Sequence, residues 1–256
     1  VKKLLITLGC SHTEGQGCFG DSNEDLHNYY KYWDSFHKHG YPPQLAELLN
    51  YDRVINLGNK GYSASACLVK FFTLFKNESF KDYEVLVYWY VPHFGRFGLF
   101  ENSSFKSHHP EDNSDISKCY YNHFTKNRVD YDDFLEVQYL LGYLGEICKN
   151  KNWKLLASPQ DNVYNNFINN IKSDVLRFNE EYWFILPKEW FKFERHKIDG
   201  HMNEKGYKDF SRMVFTEIKT RKPELLGNNS SPLISEWIGI DKVNSDRIGY
   251  FNEKRG

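Results

Sequence analysis

Three short stretches of this chain hold residue types that can act together on a carbonyl carbon. The first is Gly9-Cys10-Ser11-His12-Thr13-Glu14-Gly15, directly after the apolar run from Leu4. A Ser at a strand-to-helix turn projects its hydroxyl and turns its own amide into the same space, which suits a nucleophile and half of an oxyanion hole. A glycine-bounded turn with a capping Ser reads the same way. A phosphate loop does not, because the glycine spacing and the trailing Lys-Ser/Thr are missing. The second stretch is Asp199-Gly200-His201-Met202-Asn203-Glu204-Lys205-Gly206. A Ser nucleophile needs a base, and a His base needs a carboxylate to fix its tautomer, so Asp199 and His201 supply what Ser11 lacks. A helix cap with an incidental His is the plainer alternative, and Asn203 is a capping residue in either case. The third is Asn56-Leu57-Gly58-Asn59-Lys60-Gly61, where a glycine lets the backbone come close and donate an amide. An ordinary turn has this composition too.

These stretches must be positioned by something, and the apolar pattern says what. Lys3 to Gly9, Asp52 to Leu57, Glu84 to Tyr90 and Trp153 to Ala157 read as short buried strands, with a possible fifth at Tyr182 to Leu186. Glu84 to Tyr90 is the strongest and suits a central strand covered on both faces. Helices are expected after Pro42-Pro43 to about Asn50, from Ser63 to about Phe75, over Asp130 to Cys148, and from Asn203 to Lys219, with a weaker one after the Asn-rich segment 162–170. Strands alternating with helices imply an α/β fold with a mostly parallel central sheet between two helical layers. Such a sheet puts its site beyond the carboxyl ends of its strands, so the places to look follow Gly9, Leu57 and Tyr90. We read residues 1–220 as one domain with a long irregular insertion at 92–128. That insertion is polar, longer than an ordinary loop, and suited to a flap beside the site. Residues 221–256 read as a surface-wrapping C-terminal tail.

Composition narrows the function classes. The 256 residues include 33 Lys plus Arg and 34 Asp plus Glu, for a net charge of −1, so no global basic field is available to hold nucleic acid. Apolar residues at 40% and charged residues at 26% describe a folded chain rather than a disordered one. No stretch approaches the roughly 20 apolar residues of a membrane helix, and no secretory signal is visible, so no membrane insertion is expected and a cytoplasmic or virion-associated location is favoured. The 5 Cys are widely spaced without metal-ligand pairing; free thiols are the simplest reading, and Cys10 is expected to be buried behind the Ser11 turn. His108, His109, Glu111 and Asp112 bring metal-ligand types together, but neighbours in one loop rarely converge on an ion and no distant ligand is identifiable, so neither metal nor organic cofactor is expected.

Taken together and in order, the three stretches resemble the SGNH, or GDSL-type, hydrolase superfamily. Gly9-Cys10-Ser11-His12-Thr13 resembles its first block, with Cys10 where Asp usually stands. Gly61 matches its oxyanion glycine, and DGHMNEKG matches its last block, with Met202 in place of Pro. The resemblance implies a flavodoxin-like three-layer fold, Ser11 as nucleophile, His201 as base, Asp199 as its orienting carboxylate, and the Ser11 and Gly61 amides as oxyanion donors. It implies a small ester substrate, plausibly an O-acetyl group on a carbohydrate. Tyr29, Tyr30, Tyr32 and Trp33 suit sugar stacking and core packing equally. The third block departs from the pattern: after the strand the chain reads Val91-Pro92-His93-Phe94-Gly95-Arg96, with no Asn. His93 or Arg96 can stand in for it. Trp89 and Arg96 resemble residues of the branch whose first block reads GCS, often phage or bacterial, and His12 completes the candidate substrate contacts. A non-enzymatic structural or recognition protein on the same fold, possibly viral, is the alternative. The reading requires Ser11 Oγ near hydrogen-bond reach of the His201 ring.

Overall fold

The computed structural model describes residues 1–18, 33–77, 80–93, 96–101, 104–108, 130–160, 179–187, 192–196, 200–228 and 231–237, with positions 115 and 118. Its centre is a five-stranded parallel sheet. Lys2–Leu8 (β1) pairs on one side with Arg53–Asn56 (β2) and on the other with Tyr83–Val91 (β3). Lys154–Pro159 (β6) flanks β3, and Ile234–Trp237 (β7) flanks β2, giving the order β6-β3-β1-β2-β7. Register places Leu5 between Val54 and Leu86.

Both faces of the central strands are buried, which is why β1 and β3 are apolar runs rather than alternating ones. Leu4, Ile6, Leu8, Val85, Val87, Trp89 and Val91 fall on one side, packed with helix α4 (Ala64–Asn77) and helix α5 (Asp130–Asn150). The α5 residues in that layer are Phe134, Val137, Leu141, Leu144 and Cys148, a helical spacing of three and four. Leu5, Leu86, Tyr88 and Tyr90 fall on the other side, against helix α3 (Tyr41–Leu48) and helix α6 (Glu204–Arg221). There Tyr207, Phe210, Val214 and Ile218 form the α6 stripe, all fully buried. Losing one such large side chain costs about 3–5 kcal/mol. Helix α2 (Trp33–His39) leads directly into α3, whose first turn holds Pro42 and Pro43. Ser63 Oγ accepts the Ala66 amide at 3.2 Å and starts α4.

Three expectations are corrected. The stretch after Arg221 is not only a tail: Pro223–Leu225 makes a 3-10 turn and β7 joins the sheet edge, where Arg53 donates Nε and Nη2 to the two carboxylate oxygens of Glu236 at 2.9 and 2.7 Å. The 92–128 segment is not irregular throughout, because Phe97–Glu101 (β4) and Ser104–His108 (β5) pair antiparallel. Tyr182–Leu186 does not form a full strand. A 3-10 turn covers Glu180–Tyr182, and Trp183 makes one parallel bridge to Ala157. The helix expected after 162–170 lies outside the described residues.

Candidate active site

Ser11 opens a single helical turn, Ser11–Glu14 (α1), at the carboxyl end of β1. The turn is wedged rather than flexible. Thr13 and Glu14 donate their amides to Cys10 O at 2.9 and 3.0 Å. From β2, Asn56 donates Nδ2 to Thr13 O at 2.8 Å and accepts the Gly58 amide on Oδ1 at 2.8 Å, locking the Ser11 turn to the loop after β2. Thr13 Oγ1 meets Tyr41 OH at 3.1 Å, which ties the turn to α3. Gly58 allows the two loops to touch: a Cβ there would sit 2.4 Å from the Glu14 nitrogen. Behind the turn, fully buried Cys10 donates Sγ–H to Gln160 Oε1 at 3.1 Å. Its thiol therefore faces away from Ser11 chemistry, and Cys10, Cys18, Cys67 and Cys148 are buried thiols outside any disulfide.

The loop before α6 carries the opposing group. His196 donates its amide to His201 O at 2.7 Å, Gly200 donates to His196 O at 3.0 Å, and Arg195 bridges Met202. Met202 is fully buried in the α3–α6 layer, and Asn203 caps α6 by accepting the Gly206 amide at 2.9 Å. Between these anchors the His201 ring is presented to Ser11: Oγ and Nε2 are 2.7 Å apart. Gly17, just after the Ser11 turn, makes the meeting possible, since a Cβ there would lie 2.3 Å from Met202 O and 3.1 Å from the His201 Cβ. Tyr207 on α6 donates its hydroxyl to Gln16 O at 2.7 Å, a second tie between the two halves.

The remaining candidates separate by place. Gly61 adopts a left-handed φ of 76° with no heavy atom within 4 Å of a would-be Cβ, so open space adjoins its backbone. Among the described residues, neither the Ser11 nor the Gly61 amide donates to another group. Arg96 donates Nη1 to Tyr62 O at 3.5 Å, which lays its guanidinium against the same loop. His93 is exposed just past β3. Trp89 is fully buried in the α4–α5 layer, so it packs the core where a substrate contact was expected. His12 is buried, with its ring centroid 4.7 Å from that of His201. Burial first, and then the positive fields of His201, Arg195, His93 and Arg96, hold His12 well below its usual basicity, so it is neutral near pH 7.

Asp199 lies outside the described residues, as do Tyr29, Tyr30, Tyr32, His109, Glu111 and Asp112; for Trp33 only the helical backbone is described. Among the described residues no group of His, Cys, Asp and Glu side chains is arranged to hold a metal ion, and no helix is long and apolar enough to cross a membrane. Two residues of the site gave no signal in the sequence. Asn56 lies inside an apolar strand, and its clamp appears only once β2 is set beside β1. Arg195 stands six positions before His201, in a run rich in charge, and only the hairpin-like return of the chain brings it back.

No family model matches the chain, and no curated protein matches it. One solved structure is alike over 88% of this chain and 67% of its own, with a TM-score of 0.52 and 10% sequence identity. It is a carbohydrate esterase whose active site displays divergent catalytic and non-catalytic binding functions. This chain is similar to it in fold. At that identity the likeness extends to the α/β architecture with its parallel sheet, and the chemistry has to be argued from the residues themselves.

Proposed function

We propose that the chain is a serine esterase of the SGNH type acting on a small carboxylic ester, with an O-acetyl group on a carbohydrate the leading candidate. The observation that carries this reading is the 2.7 Å approach of Ser11 Oγ to His201 Nε2 across 190 residues of sequence. With Nε2 accepting from the hydroxyl, the proton of the neutral imidazole sits on Nδ1, where the reading assigns Asp199 as acceptor. Ser11 Oγ attacks the ester carbonyl as His201 takes its proton. The carbonyl oxygen becomes an oxyanion against the Ser11 and Gly61 amides. Collapse expels the alcohol, protonated by His201, and leaves an acyl-serine. Water, deprotonated by His201, then adds to the acyl carbon; Ser11 leaves with the proton and the carboxylic acid departs.

The site residues support a hole of two backbone amides, those of Ser11 and Gly61, without the third-block Asn. The fold shared with a carbohydrate esterase is consistent with a glycan ester. A second reading, recognition of a carbohydrate without turnover, draws on that missing Asn. Labelling with a fluorophosphonate, combined with hydrolysis of short-chain aryl esters, separates the two. An esterase is labelled at Ser11 and turns over, and Ser11→Ala loses labelling and on the order of 10⁴- to 10⁶-fold in kcat. A folded chain that neither labels nor hydrolyses any ester overturns the enzyme reading.

A further inference from the structure

Two guanidiniums lie on the loops that adjoin the Ser11–His201 pair. Arg195 comes from the strand-like return preceding His201, and its Nη1 donates to Gly200 O at 2.7 Å, one residue from the imidazole. Arg96 comes from the opposite side, after β3, and rests on Tyr62 O beside Gly61. Among the described residues no carboxylate pairs with either guanidinium; both donate to backbone carbonyls. His93 adds a third basic side chain at the end of β3. Beneath them His12 Nδ1 is buried with no hydrogen-bond partner among the described residues. Two fixed cations on the loops beside one spot repel each other, and an anion between them offsets that repulsion.

We infer that Arg96 and Arg195, with His93 and His12, form an anion subsite beside Ser11 and His201, so that the ester this chain takes carries a carboxylate. The inference rests on the esterase reading and adds the charge of the substrate to it. Arg is suited to the task because its planar fork stays charged and grips a carboxylate through two donors. The Ser11 turn and the Gly61 loop hold the carbonyl, and the two guanidiniums hold the charged end, so the subsite acts on positioning and selection rather than on the bond that breaks.

Matched esters test this. On the acyl side, 4-nitrophenyl hydrogen adipate is compared with methyl 4-nitrophenyl adipate. On the alcohol side, 4-acetoxybenzoate is compared with methyl 4-acetoxybenzoate. The expected result is a kcat/KM preference for the anionic member of at least one pair, falling about 10- to 100-fold in the Arg96→Gln, Arg195→Gln double variant through KM. The ratio is taken within each protein, so partial loss of folded enzyme cancels. Equal rates for both members of both pairs, or a preference untouched by the double substitution, overturns the subsite while leaving the esterase standing. If no ester is hydrolysed, the Ser11→Ala chain is titrated with monomethyl adipate and with dimethyl adipate while the His12 imidazole resonances are followed. Shifts with the anion alone keep the subsite and discard the esterase. No shift with either discards the subsite as well.

Discussion

The Ser11 turn and the His201 loop face each other across 2.7 Å but are held by different physics. Ser11, His12, Thr13 and Glu14 are all buried, and among the described residues bonds from the core fix their turn: Asn56 on β2, Tyr41 on α3, Gln160 beyond β6. The His201 loop is only partly buried: His196 and Met202 sit inside, and Gly200 is exposed. It is held by Arg195 on Gly200 O and by Glu194, which accepts from Asn203 Nδ2 at 2.7 Å and Lys205 Nζ at 2.8 Å with all three groups exposed. Those partners draw the Glu194 carboxyl below its ordinary pKa, Lys205 first and Asn203 next. Ion pairs of that kind contribute little to stability, because solvent screens them and long side chains lose entropy in forming them. On the proposed reading, the nucleophile is therefore set by the fold, and the base in part by a local arrangement laid on top of it.

The contrast predicts how substitutions divide. The largest effect falls on turnover alone: His201→Ala should lower kcat on an aryl ester by on the order of 10⁴-fold or more, while the thermal midpoint stays near that of the parent. A collapse of stability in this variant would mean the loop is part of the core after all. Asn56→Ala should do both kinds of damage. It leaves Thr13 O and the Gly58 amide buried without their partner, costing about 2–4 kcal/mol in denaturant unfolding, and it frees the Ser11 turn so that kcat falls with stability. Full activity in a destabilised Asn56→Ala chain would break the link between clamp and nucleophile. The smallest effect is expected for Asn203→Ala. Loss of the α6 cap costs about 1 kcal/mol, and the readout is a modest drop in the unfolding midpoint with the midpoint slope unchanged.

The same contrast explains what could be read from the sequence. The β1, β2, β3 and β6 strands and helices α3 to α6 were legible because a sheet buried on both faces writes itself as apolar runs, and amphipathic helices as three- and four-residue spacings. Strand β7 was not: Ile-Ser-Glu-Trp is four residues with a buried partner on one side only, inside a Pro- and Asn-rich stretch. The β4–β5 pair hid in the same way within a polar segment. The approach of Ser11 and His201 could be anticipated because each sits in a turn directly flanking a regular element, so the topology brings the turns together. Asn56 and Arg195 could not, since their roles depend on which loop arrives opposite them. Trp89 was expected at the site because it resembles a residue of the GCS-type branch, but its position in the pleat turns it into the core.

The bond between Ser11 and His201 closes a loop of 190 residues. No fragment of the chain can form it by local contacts, and the entropy of bringing such distant segments together is recovered only when α6 docks beside the finished sheet. β1, β2 and β3 can pair, and α4 can cover them, while the nucleophile still has no base. On the proposed esterase reading, activity requires the whole of this assembly, which makes ester turnover a strict gauge of the complete native state.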